Sequence, residues 1–321
     1  MNTKRIVWAD FTIYLKLTCV AMLWGGTFIA GRVIAFEMPA QIAALMRFIV
    51  ASILLMIILI KVEGSFKTIN LKQHFLTACM GLTGVFAYNI FFFGALSHMQ
   101  AGRTALFVSL SPILTIIAAR IFFKEELSKF NYFGVVLAFF GTLLVVTKGH
   151  LFSQLNTSFG TGELMMSCAV LSWVAYTLFC KKIAGLSPLI ITTYSTLWGL
   201  FFLSMSFIPY LRQWQSFTFH ASIYLSVLYL GALGTVLAFV WYAQGIAKIG
   251  TSRTIIFNNL VPLFAVLLAF LLLNEPITVA MMVGGAMSSI GVLMTNKKPL
   301  NWHDTRYSTD KSANQNRIGL N

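Results

Sequence analysis

The sequence predicts an all-α polytopic membrane protein, with ten transmembrane helices arranged as two inverted five-helix repeats. Three observations lead there: an apolar composition, ten stretches of membrane-spanning length, and a repeat at an offset of 150 residues. Of 321 residues, 58% are hydrophobic and only 10% are charged, whereas a soluble domain carries about 25% charged residues. Such a chain belongs in a bilayer.

At 1.5 Å per residue, a helix needs about 20 residues to cross the hydrocarbon layer. Apolar stretches of that order fall near 13–34, 41–61, 74–96, 101–123 and 131–148, then near 161–181, 188–210, 220–246, 250–273 and 277–295. The expected organisation is a cytoplasmic N-terminus over 1–12, a first repeat over 13–148, an extracytoplasmic connection over 149–160 and a second repeat over 161–296. Residues 297–321 are polar and poor in aliphatic side chains, the signature of a disordered cytoplasmic tail. The first span carries Trp24, Gly25 and Gly26 where a secretory signal needs a plain apolar run and a cleavage site, so it reads as a retained helix.

The repeat is carried by residues that chance matches do not supply in so apolar a chain. Arg103, Thr104, Phe107, Pro112, Glu125, Gly134 and Gly141 align without a gap on Arg253, Thr254, Phe257, Pro262, Glu275, Gly284 and Gly291. Gly81 and Gly84 match Gly231 and Gly234 at the same offset, and Trp24 and Pro39 match Trp173 and Pro188 at an offset of 149.

The net charge of +14 is distributed by topology, not by affinity for nucleic acid. Eighteen of the 23 Lys and Arg residues fall at the termini and even-numbered connections, against four (Arg32, Arg103, Lys148 and Arg212) at the odd-numbered ones. The positive-inside rule then makes both termini cytoplasmic, in a multi-pass protein of a bacterial inner membrane. With five spans per repeat, the second copy must enter from the opposite face. Inverted repeats supply two related conformations, each open to one side, with substrate near the midplane. The expected function is secondary, non-ATP transport of a small metabolite, with the lipid bilayer as the surrounding partner. The alternatives from other classes are a membrane-embedded enzyme or a scaffold acting on lipid-linked substrates.

The segment Trp24-Gly25-Gly26-Thr27-Phe28, the pair Arg47-Phe48, the Pro112 to Glu125 stretch with its counterpart Pro262 to Glu275, and the Gly134/Gly141 spacing resemble the EamA branch of the drug/metabolite transporter superfamily. The resemblance covers about residues 13–295. It implies ten helices around a central cavity and a substrate among amino acids, other metabolites, nucleotide-linked compounds or drugs.

Candidate site residues follow from what hydrocarbon does not tolerate. Pro112 and Pro262 lie about 11 residues into their spans, where each removes a backbone donor, frees an upstream carbonyl and bends the helix. Ser109 and Ser111 flank the first proline, and Asn258 and Asn259 the second. They either line the cavity or act as packing glue between helices. Tyr88 and Asn89, mid-way along the third span, have the same two readings. Arg47 lies well inside span 2; it can attract a carboxylate or phosphate, but structural pairing or snorkelling is favoured. Trp24, Trp173 and Tyr176 sit too deep for an interfacial belt and are candidate cavity walls, able to stack on a planar or cationic ligand.

Arg103 at a helix start and Glu125 at its end both oppose the helix dipole. Topology puts Arg103 level with Glu275 on the outer face and Arg253 level with Glu125 on the inner one, a possible pair of gate latches. The competing reading is that each Glu stabilises the start of the helix that follows it. No acidic residue is expected at the midplane, which favours facilitated diffusion or exchange over proton loading by a buried carboxylate. No nucleotide loop, metal-ligand helix or nucleophile constellation occurs, and Cys19, Cys79, Cys168 and Cys180 have neither disulfide nor zinc spacing. No cofactor or metal is expected.

Overall fold

Breaks in the apolar pattern decide where each helix begins and ends. In this computed structural model, residues 3–108, 110–123, 129–146, 160–183, 185–212, 220–249 and 257–295 are described. Helix α1 spans Thr3–Ala35, so it starts well before the predicted first span, and α2 spans Ala40–Glu63. Gly64, at φ 78°, closes α2 in the left-handed conformation. Helix α3, Leu71–Met80, starts at a reciprocal cap between Asn70 and Gln73. It runs on through a π-helical segment, Gly81–Ala87, into α4, Tyr88–His98.

The fourth predicted span is described as α5 over Ala101–Val108 and α6 over Leu110–Phe123, on either side of Ser109, which lies outside the described residues. Helices α7 and α8 follow at Lys129–Val146 and Thr161–Lys182. Ser187 caps α9, Pro188–Phe207, with proline in the first turn, where its missing N–H costs nothing. Next come α10, Ala221–Leu228, a second π-helical segment, Tyr229–Leu237, and α11, Ala238–Ile249. A short 3-10 turn at Phe257–Asn259 leads into α12, Leu260–Leu273, and α13 spans Val279–Thr295.

Among the described residues the architecture is all-helical. Among the described residues, six segments are long and apolar enough to cross a membrane: Thr12–Ala35, Ala40–Glu63, Leu71–His98, Thr161–Cys180, Pro188–Tyr210 and Ala221–Tyr242. Shorter apolar helices run over Tyr132–Val145, Leu260–Leu273 and Val279–Gly291. Large side chains such as Phe92, Phe93, Phe107, Leu96 and Met166 fill the interior. Outward-facing ones such as Phe139, Phe140, Leu225, Leu271 and Met282 present an apolar surface suited to lipid. In lipid, tight packing between helices replaces the hydrophobic effect as the cohesive force.

Helix α7 packs along α13 with backbones almost touching. A Cβ added at Gly141 would lie 2.6 Å from the Gly284 carbonyl oxygen, and one at Gly291 would lie 2.5 Å from that of Gly134. Gly141 thus meets Gly284 while Gly134 meets Gly291, so the two helices are antiparallel. At the first helix, Gly25 lets α1 approach the backbone of α12, and Gly26 leaves room for the Tyr229 hydroxyl, which donates to Leu23 O at 2.8 Å. That is the physical content of the Trp24-Gly25-Gly26 sequence.

Candidate functional site

The two π-helical segments face the middle of the bundle and build its polar centre. A π turn is wider than an α turn and leaves carbonyls poorly matched to the next N–H, so side chains complete the hydrogen bonding. Asn89, just after the first segment, donates to Val85 O at 2.7 Å. Thr235, inside the second, donates to Leu230 O at 2.8 Å. Both thereby aim an oxygen at Arg47. The Arg47 guanidinium donates from Nη1 to Asn89 Oδ1 at 3.1 Å, and from Nε and Nη2 to Thr235 Oγ1 at 3.3 Å each. Arg47 is only 9% exposed and Asn89 2%. Its guanidinium carbon also stands 5.3 Å from the Phe48 ring centroid. Each of these partners is electrically neutral.

Aromatic rings continue from this centre along two directions. Tyr88, within electrostatic reach of Arg47, packs on Trp173 at 5.3 Å between centroids, and Trp173 stacks on Tyr176 at 5.0 Å. Tyr176 in turn lies close to the Ser195 side chain of α9. On the other side Trp24 donates its indole N–H to Gly234 O at 3.0 Å and packs against Phe239 and Tyr242. Tyr242 lies close to the Asn258 side chain. The expected residues Trp24, Arg47, Tyr88, Asn89, Trp173, Tyr176 and Asn258 therefore fall into two connected groups, joined at Arg47 only on the Tyr88 side. Ser109, Glu125 and Arg253 lie outside the described residues, and of Asn259 only the backbone is described.

Of the two prolines expected to bend helices, Pro262 is the third residue of α12 and follows the 3-10 turn Phe257–Asn259, whereas Ser109, three residues before Pro112, lies outside the described residues. Proline clashes with the carbonyl four residues earlier, which for Pro262 is that of Asn258, and Asn258 sits in the 3-10 turn ahead of α12.

Arg103 and Glu275, expected as a gate pair, take different partners. The Arg103 guanidinium meets Glu163 of α8 at 2.8 Å, with both side chains largely buried. Glu275 accepts from the backbone N–H groups of Ala101 at 2.9 Å and Gly102 at 3.1 Å. The reason is positional. Glu275 leaves α12 directly above the first turn of α5, whose free N–H groups and positive dipole end attract a carboxylate. It does stabilise a helix start, but that of α5 and not of α13, which follows it. Replacing Glu275 by alanine is expected to cost about 0.5–2 kcal/mol, as loss of an N-terminal cap does, measured by thermal unfolding in detergent. A cavity of about 330 Å³ opens beside it, lined in part by Arg32, Phe36, Gln100 and Glu275. Arg32 donates to Leu96 O there and covers the Phe36 ring at 4.2 Å.

Sequence reasoning missed Thr235 and Glu163 as site residues. Thr235 carries no signal in an apolar run. Glu163 had one, since acidic residues near that membrane end are scarce and a buried arginine needs one of them.

The comparisons with known proteins agree with this architecture. The sequence matches the EamA-like transporter family over residues 11–147 and again over 160–297. The uncharacterized transporter YyaM of Bacillus subtilis is 30% identical over 283 residues, covering 88% of this chain and 92% of that protein. A probable terminal-alkyne amino-acid exporter of Streptantibioticus cattleyicolor is 26% identical over 303 residues, covering 94% and 96%. A chain solved by crystallography superposes with a TM-score of 0.64 at 17% identity, covering 88% of this chain and 98% of its own, a likeness of fold. With helices suited to spanning a bilayer and two matches that together take in most of its length, the chain is a multi-pass membrane protein that belongs to the EamA-like transporter family.

Proposed function

We propose that this protein moves a small metabolite of the amino-acid type across a bacterial inner membrane by alternating access, without ATP, between two inverted five-span repeats. One observation carries the reading. Gly134 and Gly141 correspond to Gly284 and Gly291 at the 150-residue offset, and α7 and α13 cross antiparallel with Gly134 against Gly291 and Gly141 against Gly284. Only a two-fold axis perpendicular to both helices exchanges those contacts, and such an axis lies in the membrane plane. Several other packed pairs follow the same exchange. Helix α1 on α12 mirrors α8 on α6, α1 on α11 mirrors α8 on α4, and α2 on the second π-helical segment mirrors α9 on the first.

Two-fold equivalent packing gives each half a second arrangement of similar energy, which alternating access requires. Both termini are cytoplasmic in this reading, by the distribution of Lys and Arg. Opening to the outer side separates Glu163 from Arg103 and Glu275 from the start of α5, because both contacts join one half of the chain to the other. A relative named as an amino-acid exporter supports the substrate class. Counterflow in proteoliposomes tests the proposal, with labelled amino acids, nucleotides and cationic dyes as the panel. Saturable, ATP-independent accumulation of at least one amino acid is the expected result. Absence of flux for every class, from protein shown to be folded and able to bind ligand, overturns it.

A further inference from the structure

We infer that Arg47 is the recognition group for a carboxylate on the substrate, with the face formed by Tyr88, Trp173 and Tyr176 receiving its apolar part. The inference rests on the transport reading and adds to it a substrate chemistry and a docking residue.

The argument starts from charge. A cation removed from water is stable only when its charge is compensated, and ionisable residues inside a membrane span are functional by default. Arg47 is 9% exposed, and its hydrogen bonds go to an amide and a hydroxyl, neither of which carries charge. Among the acidic residues at described positions near the helix ends, Glu63 is held by Lys67 and Ser187, Glu163 by Arg103, and Glu275 by Ala101 and Gly102, while Glu37 is exposed just past the end of α1. Neither the Lys67–Glu63 nor the Arg103–Glu163 ion pair, both among the described residues, includes Arg47. The contacts of Asn89 and Thr235 orient the guanidinium without neutralising it.

Donor accounting points the same way. A guanidinium has five N–H donors in a planar fork. Asn89 and Thr235 take one from each nitrogen, which leaves one on Nη1 and one on Nη2. Two remaining donors are enough for a carboxylate, which offers two acceptor oxygens. One cation is neutralised by a monoanion, whereas a dianionic phosphate would leave net negative charge in a poorly solvated centre. Carboxylate is thus favoured over phosphate.

The neighbours suit the rest of such a molecule. Tyr88, Trp173 and Tyr176 are half-buried and form a continuous run of rings, with centroids 5.3 and 5.0 Å apart. Tyr88 begins that run within electrostatic reach of the guanidinium. An amino acid with an apolar or aromatic side chain fits this arrangement, its carboxylate at Arg47 and its ammonium or side chain over a ring face.

The test compares ligands on the unaltered protein first, so that it does not depend on a variant folding. Purified full-length protein in proteoliposomes is loaded with L-phenylalanine or L-leucine. Inhibition of counterflow is then measured for the two acids, for their primary amides, for phenylethylamine and for phenyl phosphate. The acids are expected to inhibit about tenfold to a hundredfold better than their amides, the range for losing a charge-assisted hydrogen bond. Equal inhibition by acid and amide overturns the inference, and stronger inhibition by phenylethylamine or phenyl phosphate reassigns the site to another charge class.

Arg47→Gln and Arg47→Lys supply the second arm. In Arg47→Gln the acid-to-amide ratio is expected to fall to about one, while Arg47→Lys retains a preference because it keeps the charge. If folded Arg47→Gln, judged by its unfolding midpoint, keeps the full preference for acids, Arg47 is not the docking group. Failure of the whole panel, amides and amines included, instead counts against transport of amino acids, so the two readings fail separately.

Discussion

Replacing Glu163 by alanine is expected to lower stability by about 3–5 kcal/mol, the range for removing one partner of a buried ion pair. The Arg103 and Glu163 side chains are 13% and 7% exposed, with their charges 2.8 Å apart. Alanine leaves the guanidinium with no carboxylate at that position and water largely excluded. Glu163 also accepts from Gly160 N–H at 3.0 Å, so the start of α8 loses its acceptor in the same substitution. Glu163→Gln separates the two effects, since it keeps an acceptor for Gly160 and removes the charge. Combining Arg103→Met with Glu163→Ala is expected to recover part of the loss, because two neutral residues leave no buried charge behind. Unfolding in mixed micelles, followed by tryptophan fluorescence, measures all four proteins. A Glu163→Ala midpoint equal to that of the parent would mean that the pair adds nothing to stability.

The second large effect is steric and has an internal control on the same helix. Gly291→Ala puts a methyl group 2.5 Å from Gly134 O and 2.6 Å from Ala138 N, both backbone atoms that cannot rotate away. The helices must separate, and the expected cost is about 1–3 kcal/mol. Gly285→Ala instead meets the Leu106 side chain tip at 3.0 Å, which can move, so its effect is expected to stay within about 0.5 kcal/mol. The same unfolding assay reads both. Equal losses at the two positions would show that α7 and α13 tolerate separation, and would weaken the case for a shared axis between them.

How far the site was legible depended on which physical effect placed each residue. Arg47, Asn89 and Tyr88 stood out because polar groups in hydrocarbon violate a strong rule, and Arg47 and Asn89 are in fact hydrogen-bonded to each other. Trp24 and Trp173 stood out by depth, yet they lie in different aromatic groups. Helical counting placed Arg103 and Glu275 at one level, but a level is a ring of neighbours, and counting does not say which neighbour is met. The short distance from α12 to the first turn of α5 decided that Glu275 caps a helix, and the facing of α5 toward α8 gave Arg103 to Glu163. Pro262 was visible as a breaker, but its place in the first turn of α12 was not, because residue counting does not say where a helix begins.

By itself the sequence determined what one-dimensional physics can settle. Length and hydropathy made this an all-helical membrane protein, and residue-for-residue matches at one offset carried the family resemblance. These follow from solvation and periodicity, which act along the chain. Only the tertiary structure decided which polar groups surround Arg47, why the paired glycines must be glycines, and which carboxylate Arg103 meets. Those depend on distances of about 3 Å between segments more than 40 residues apart, where one turn of helix rotation exchanges one partner for another.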